Sequence, residues 1–142
     1  MSIVFDKGLI MFLNRLNEDE KRAFLKLVHY IARVDGDFSN KQKEIIATYC
    51  IEMQINDIEF DVNSFELNDT LTKFENIESQ RIILLEVMAL VFSDNILHPE
   101  EKKVLDTMIE VFNLNSSLID VYAEWTKAIL AITAQAQALL KL

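Results

Sequence analysis

Glycine, proline and cysteine are nearly missing from this chain: 142 residues hold two glycines, one proline and one cysteine. Sandwiches and barrels need many tight turns, and tight turns need glycine and proline, so an all-β fold is excluded at the outset. Gly8 and Gly36 stand too far apart for a dinucleotide fingerprint or a P-loop. Cys50 alone can form neither an internal disulfide nor a thiolate metal site, which suits a reducing compartment. Basic residues are scarce too: 14 Lys and Arg stand against 23 Asp and Glu, a formal charge of −9. Such a chain repels nucleic-acid phosphates and anionic lipid surfaces, so no nucleic-acid partner is expected. The longest apolar-rich uncharged run, Ala128 to Leu140, falls short of the ~20 residues a membrane span needs, and contains Thr133, Gln135 and Gln137. No secretory leader is legible in Met1 to Asp6. The expectation is a cytoplasmic protein that does not insert in a membrane.

What is present is helical periodicity. The composition is 51% hydrophobic and 26% charged, right for one globular domain over residues 1–142. A short helix is expected near Lys7 to Leu16. Asn17 then caps a helix whose buried stripe is Phe24, Leu27, Val28, Ile31 and Val34. After Asp35-Gly36-Asp37-Phe38, Ser39 and Gln42 form a capping box that opens a helix to about Met53. From Glu44 to Thr72 there are acids but no Lys or Arg, and the aromatics Phe60 and Phe65 are expected to pin this connector to the bundle ahead of a short helix near Asn68 to Phe74. The helix from about Ile77 to Ser93 is apolar nearly all round and should be central. Pro99 restarts a helix to about Phe112. Ser116 or Ser117 caps a long last helix, with Leu118, Tyr122, Trp125, Ile129, Ile132, Ala136 and Leu139 on one face.

The two halves align under a shift of 59 residues, which places Val28 on Val87, Asp35 on Asp94, Ser39 on His98, Ile45 on Val104 and Ile55 on Leu114. The units are repeat one, about 18–55, an acidic connector, about 56–75, repeat two, about 77–114, and the C-terminal helix, about 117–140. The fold expected is all-α: a compact bundle of about seven helices with two pseudo-symmetric helix-turn-helix repeats.

The pattern of apolar helix, Asp-Gly, one residue, an apolar residue, a cap and Glu three after it resembles the TerB-like family. This is the bacterial tellurite-resistance domain, also found at the N-terminal side of a membrane-bound J-domain co-chaperone. The likeness covers roughly Lys21 to Phe112. The family's Asp-Gly falls on Asp35-Gly36 and on Asp94-Asn95, and its Glu on Glu101; the first half has Gln42 at that place. The resemblance implies a helical fold with two symmetric halves, no established enzyme chemistry and an acidic divalent-cation site. It also implies an association with stress response, membrane-linked complexes and phage defence.

The cation candidates are Asp35, Asp37, Asp94 and Glu101, with Ca²⁺ or another divalent ion as the ligand. An EF-hand is excluded, since Asn40 and Ile46 occupy the places that need Gly and Glu. The competing reading is structural: Asp35 and Asp94 end helices and bond turn amides, while Gln42 and Glu101 close capping boxes. His98 is expected at a helix start, His29 at a boundary or surface position, and Cys50 as core filler. Glu86, on a stripe with Ser79 and Ser93, should reach water or pair with Arg81 or Arg33. No catalytic residue is assigned, and no enzyme is expected. The expected role is a binding module that meets a protein partner through the C-terminal helix or the acidic surface, a homodimer included. A structural or adaptor subunit of a membrane-linked or defence complex is the alternative, and an enzyme with a site between the repeats stands behind both. A solvent-facing apolar stripe on residues 118–140 would mark the adaptor reading.

Overall fold

The computed structural model describes residues 3–4, 9–10, 12–34, 38–92 and 98–142. Among the described residues six α-helices make the bundle: α1 (Glu18–Arg33), α2 (Asn40–Met53), α3 (Leu67–Leu71), α4 (Ile77–Val91), α5 (Pro99–Val111) and α6 (Ser117–Leu140). Ahead of them lie two-residue strands, β1 (Ile3–Val4) and β2 (Leu9–Ile10), paired antiparallel with Ile3 opposite Ile10. A 3-10 turn at Leu13–Arg15 follows. The helix expected over Lys7 to Leu16 is therefore corrected. Among its described residues, 9–10 and 12–16, the Leu13 N–H donates to Glu52 Oε2 at 3.1 Å rather than to a carbonyl one turn back. Leu13 and Leu16 still reach the core.

The caps explain where the helices begin. Asn17 accepts from the Glu20 N–H at 2.9 Å while Glu20 Oε1 accepts from the Asn17 N–H at 3.0 Å. Ser39 and Gln42 close the same box at 3.2 and 2.9 Å. Asn76 caps α4 by accepting from Ser79 N–H. At α6 Ser116 is the N-cap residue, as read from the sequence, but the side-chain acceptor is the Asn115 amide oxygen, which takes the Ser117 N–H at 3.0 Å.

The 59-residue offset holds for these local features. The N-caps Asn17 and Asn76 are related by it, as are Ser39 and His98. The ends match as well. Gln54 and Asn113 both take left-handed backbone, with φ of 57° and 52°. Ile55 N–H bonds back to Cys50 C=O, and Leu114 N–H to Ile109 C=O, the six-to-one bond of a Schellman ending. This agreement runs along the chain; a two-fold facing of the halves is not shown by it. Asparagine tolerates the left-handed region better than glutamine does. Gln54→Gly should therefore raise stability by about 0.5–1 kcal/mol, read from the midpoint of urea unfolding.

α4 is the axis of the core, as its all-round hydrophobicity requires. Ile83, Leu84, Val87 and Met88 are wholly buried, and α4 packs on α1, α5 and α6. Phe24 of α1 meets Tyr49 of α2 edge-on, with ring centroids 5.0 Å apart. Among the described residues no helix is long and apolar enough to cross a membrane.

Candidate functional site

Of the expected cation ligands, Asp35, Asp37 and Asp94 lie outside the described residues. Glu101 is described. Its Oε1 accepts from the His98 N–H at 3.1 Å, which is the capping geometry. His98 is at the start of α5, where it was expected. Among the described residues no group of three or more His, Cys, Asp or Glu side chains is placed to hold a metal ion.

His29 corrects its expected surface position, being only 5% exposed. The acidic connector supplies the reason. Phe60 stacks on the imidazole at 5.7 Å and Phe65 on Tyr30 at 4.6 Å, so the connector aromatics seal α1. The protonation of the ring follows from its neighbours. Arg33 Nη1 lies 2.8 Å from His29 Nδ1, and a guanidinium only donates, so Nδ1 accepts. The proton therefore sits on Nε2, which donates to Asp57 Oδ1 at 2.9 Å. Arg33 also covers the Phe38 ring at 3.9 Å. With both nitrogens engaged, this imidazole is a latch between α1 and the connector. Cys50 is half-buried against the core. Burial, and then the Asp57 carboxylate, push its thiol up to about 11, which keeps it a thiol rather than a nucleophilic thiolate at neutral pH.

Glu86 also departs from expectation. It neither reaches water nor pairs with Arg81 or Arg33: it is 0% exposed, and both carboxyl oxygens lack a hydrogen-bond partner. The Glu52 Oε1 and Tyr49 Oη atoms are likewise buried and unpartnered. Burial, and then the charge of Glu52, push the Glu86 carboxyl well above the usual carboxylate range. Burial lifts Glu52 to about 7, with the Leu13 amide pulling the other way. Burial thus favours the protonated form of Glu86, while Glu52 changes form around neutrality. The helical wheel hid this, because a stripe of Ser79, Glu86 and Ser93 looks solvated when neighbours are unknown.

A groove of about 580 Å³ lies between α1, the connector and α3. Arg22, Lys26 and Lys73 alternate there with Asp19, Glu59, Asp61, Glu66 and Asp69 over a floor of Phe60 and Phe65. Five acids against three bases leave the lining net acidic, and the mixture of signs marks no specific ligand.

α6 carries the most distinctive surface. The residues of its inward side that are fully buried are small: Ala123, Thr126 and Thr133, with the larger Ile119, Tyr122 and Leu130 packed partly against the core beside them. The large apolar residues face out. Val121 is 60% exposed, Trp125 43%, Ile132 56% and Leu139 67%. The single face read from the sequence is thus split: Tyr122 packs against the core, whereas Trp125, Ile132 and Leu139 face out. The helix has two apolar seams about half a turn of rotation apart, and the bundle takes the one whose most buried members, Ala123, Thr126 and Thr133, are small, which lets α6 approach α4 closely. Alternation of the two seams was the signal in the sequence: residues 119, 123, 126, 130 and 133 form one, and 121, 125, 128, 132, 135 and 139 the other.

No family model matches this chain, and neither the curated proteins nor the solved structures provide a match.

Proposed function

We propose that this chain is a non-enzymatic binding module of the adaptor kind, which joins protein partners through the outward seam of α6, the solvent-facing apolar stripe that marks the adaptor reading. The observation that carries this is the apolar stripe on Val121, Trp125, Ile132 and Leu139, exposed to solvent although the core beneath it is complete. Monomeric proteins seldom leave a contiguous apolar strip of this length uncovered, and such strips mark interaction sites. The engagement of both His29 nitrogens and the raised Cys50 thiol weigh against nucleophilic or general-base chemistry at those residues.

The proposed setting is cytoplasmic, in a TerB-like stress-response or defence assembly. The helical bundle and the two capped hairpins at a 59-residue offset support that kinship. A cation role would rest on Asp35, Asp37, Asp94 and Glu101, and the capping bond of Glu101 favours the structural reading of that residue.

The test is capture from the native cell with the full chain and with Ile132→Glu. Ile132 is exposed, so the variant should melt within a degree or two of the parent. Partners retained by the parent and lost by the variant are the expected result. Equal retention by both would remove the seam from the function.

A further inference from the structure

We infer that the occupant of the α6 seam is a second copy of this chain, docked antiparallel along the helix. The inference rests on the binding-module reading and names its partner. The seam runs through Val121, Trp125, Ala128, Ile132, Gln135 and Leu139, at alternating steps of four and three residues. That is the spacing of a two-helix seam, sustained along a 24-residue helix.

Charge selects the partner. The chain bears 23 acids, yet residues 125–142 hold none, and their only charged side chains are Lys127 and Lys141. Two copies carrying −9 each repel over most of their surfaces, and this strip is where they approach without opposed carboxylates. A basic partner would find nothing to pair with there. The seam is therefore suited to a neutral amphipathic helix, which is what α6 itself is.

Orientation follows from the side chains. Antiparallel docking about a two-fold axis near residue 130 sets Val121 against Leu139 of the second copy, Ala128 against its Ile132, and Trp125 against its Gln135. Small then meets large in the central layer, Ala128 against Ile132, and two branched aliphatics meet in the outer one. The Trp125 indole N–H, an obligate donor, faces an amide carbonyl, and the symmetry makes this bond twice. Parallel docking would instead stack Trp125 on Trp125 and bring the two Glu124 carboxylates to the same level. Antiparallel docking holds those carboxylates at opposite ends, and sets the two helix dipoles head to tail. Ala131 and Ala138 flank the seam with small side chains, so the backbones can come close.

The experiment is sedimentation equilibrium of the full chain, with disulfide trapping. The parent should dimerise, and Ile132→Glu should weaken the dimer by ~30-fold or more, since each copy loses a central apolar contact. Ile51→Glu, at another exposed apolar position, on α2, should leave the dimer intact. In a Cys50→Ser background, Val121→Cys with Leu139→Cys should cross-link two chains under mild oxidation, and Val121→Cys alone should not. Efficient trapping by Val121→Cys alone would overturn the antiparallel arrangement. A parent that stays monomeric to high concentration would overturn the second copy as occupant. Loss of native partners by Ile132→Glu would then still uphold the binding-module reading, so the two failures are told apart.

Discussion

Glu86→Leu should stabilise the protein, and by more at pH 7.5 than at pH 4.5. The side chain is wholly buried with no partner for either oxygen, and a leucine of similar volume removes that burden. The sign is set by the direction of the pKa. An unfolded glutamate titrates near 4.3, whereas burial raises the folded group well above it. Below the unfolded value both states are protonated and the group costs little through ionisation. As the pH climbs, the unfolded state gains from ionising and the folded state does not, so stability falls. Glu52 adds to the same decline until its own folded value of about 7 is passed, after which it ionises in both states. At pH 7.5 the gain from Glu86→Leu should be about 2–4 kcal/mol, or ~6–12 °C in melting temperature. Glu86→Gln keeps the shape and should flatten the pH dependence without the full gain. Thermal melts across pH 4–8 check this, and parallel curves for parent and both variants would refute it.

The opposite effect is expected at His29. His29→Ala removes the donor to Asp57, the acceptor of Arg33 and the face on which Phe60 stacks. The loss should be about 2–4 kcal/mol, combining a buried cavity with the lost Nε2–Asp57 bond, while Arg33 keeps its bond to the carbonyl of residue 29 at 2.9 Å. It should also be local first. Amide hydrogen exchange over residues 56–66 should quicken well before that of α4, because the latch is what fastens the connector to α1. Asp57→Asn keeps an acceptor oxygen for the Nε2–H and should cost far less. Unaltered exchange in the connector of His29→Ala would show that the aromatics Phe60 and Phe65 hold it without the imidazole.

The legibility of the chain follows the range of the forces involved. Helix bounds and caps are local, and α1, α2, α4 and α5 lie within two residues of the pattern read from the chain. The pinning of the connector by Phe60 and Phe65 was legible too, because an acidic stretch carrying aromatics has few other ways to bury them. The segment before Asn17 was not. Its outcome hinges on one bond from Leu13 to Glu52, 39 positions away. His29 and Glu86 were misjudged for the same reason: each wheel position was read correctly, but the neighbour that covers it belongs to another element.

By itself the sequence determined an all-helical bundle with capped hairpins at a 59-residue offset, since scarce glycine and proline, cap residues and helical periodicity act over a few residues each. Tertiary packing decided which seam of α6 turns inward and which acids lose their water. α6 offered two apolar sides, and the bundle took the one that places Ala123, Thr126 and Thr133 at the contact. Burial is a property of what lies across the interface, and that partner is chosen only when the helices come together.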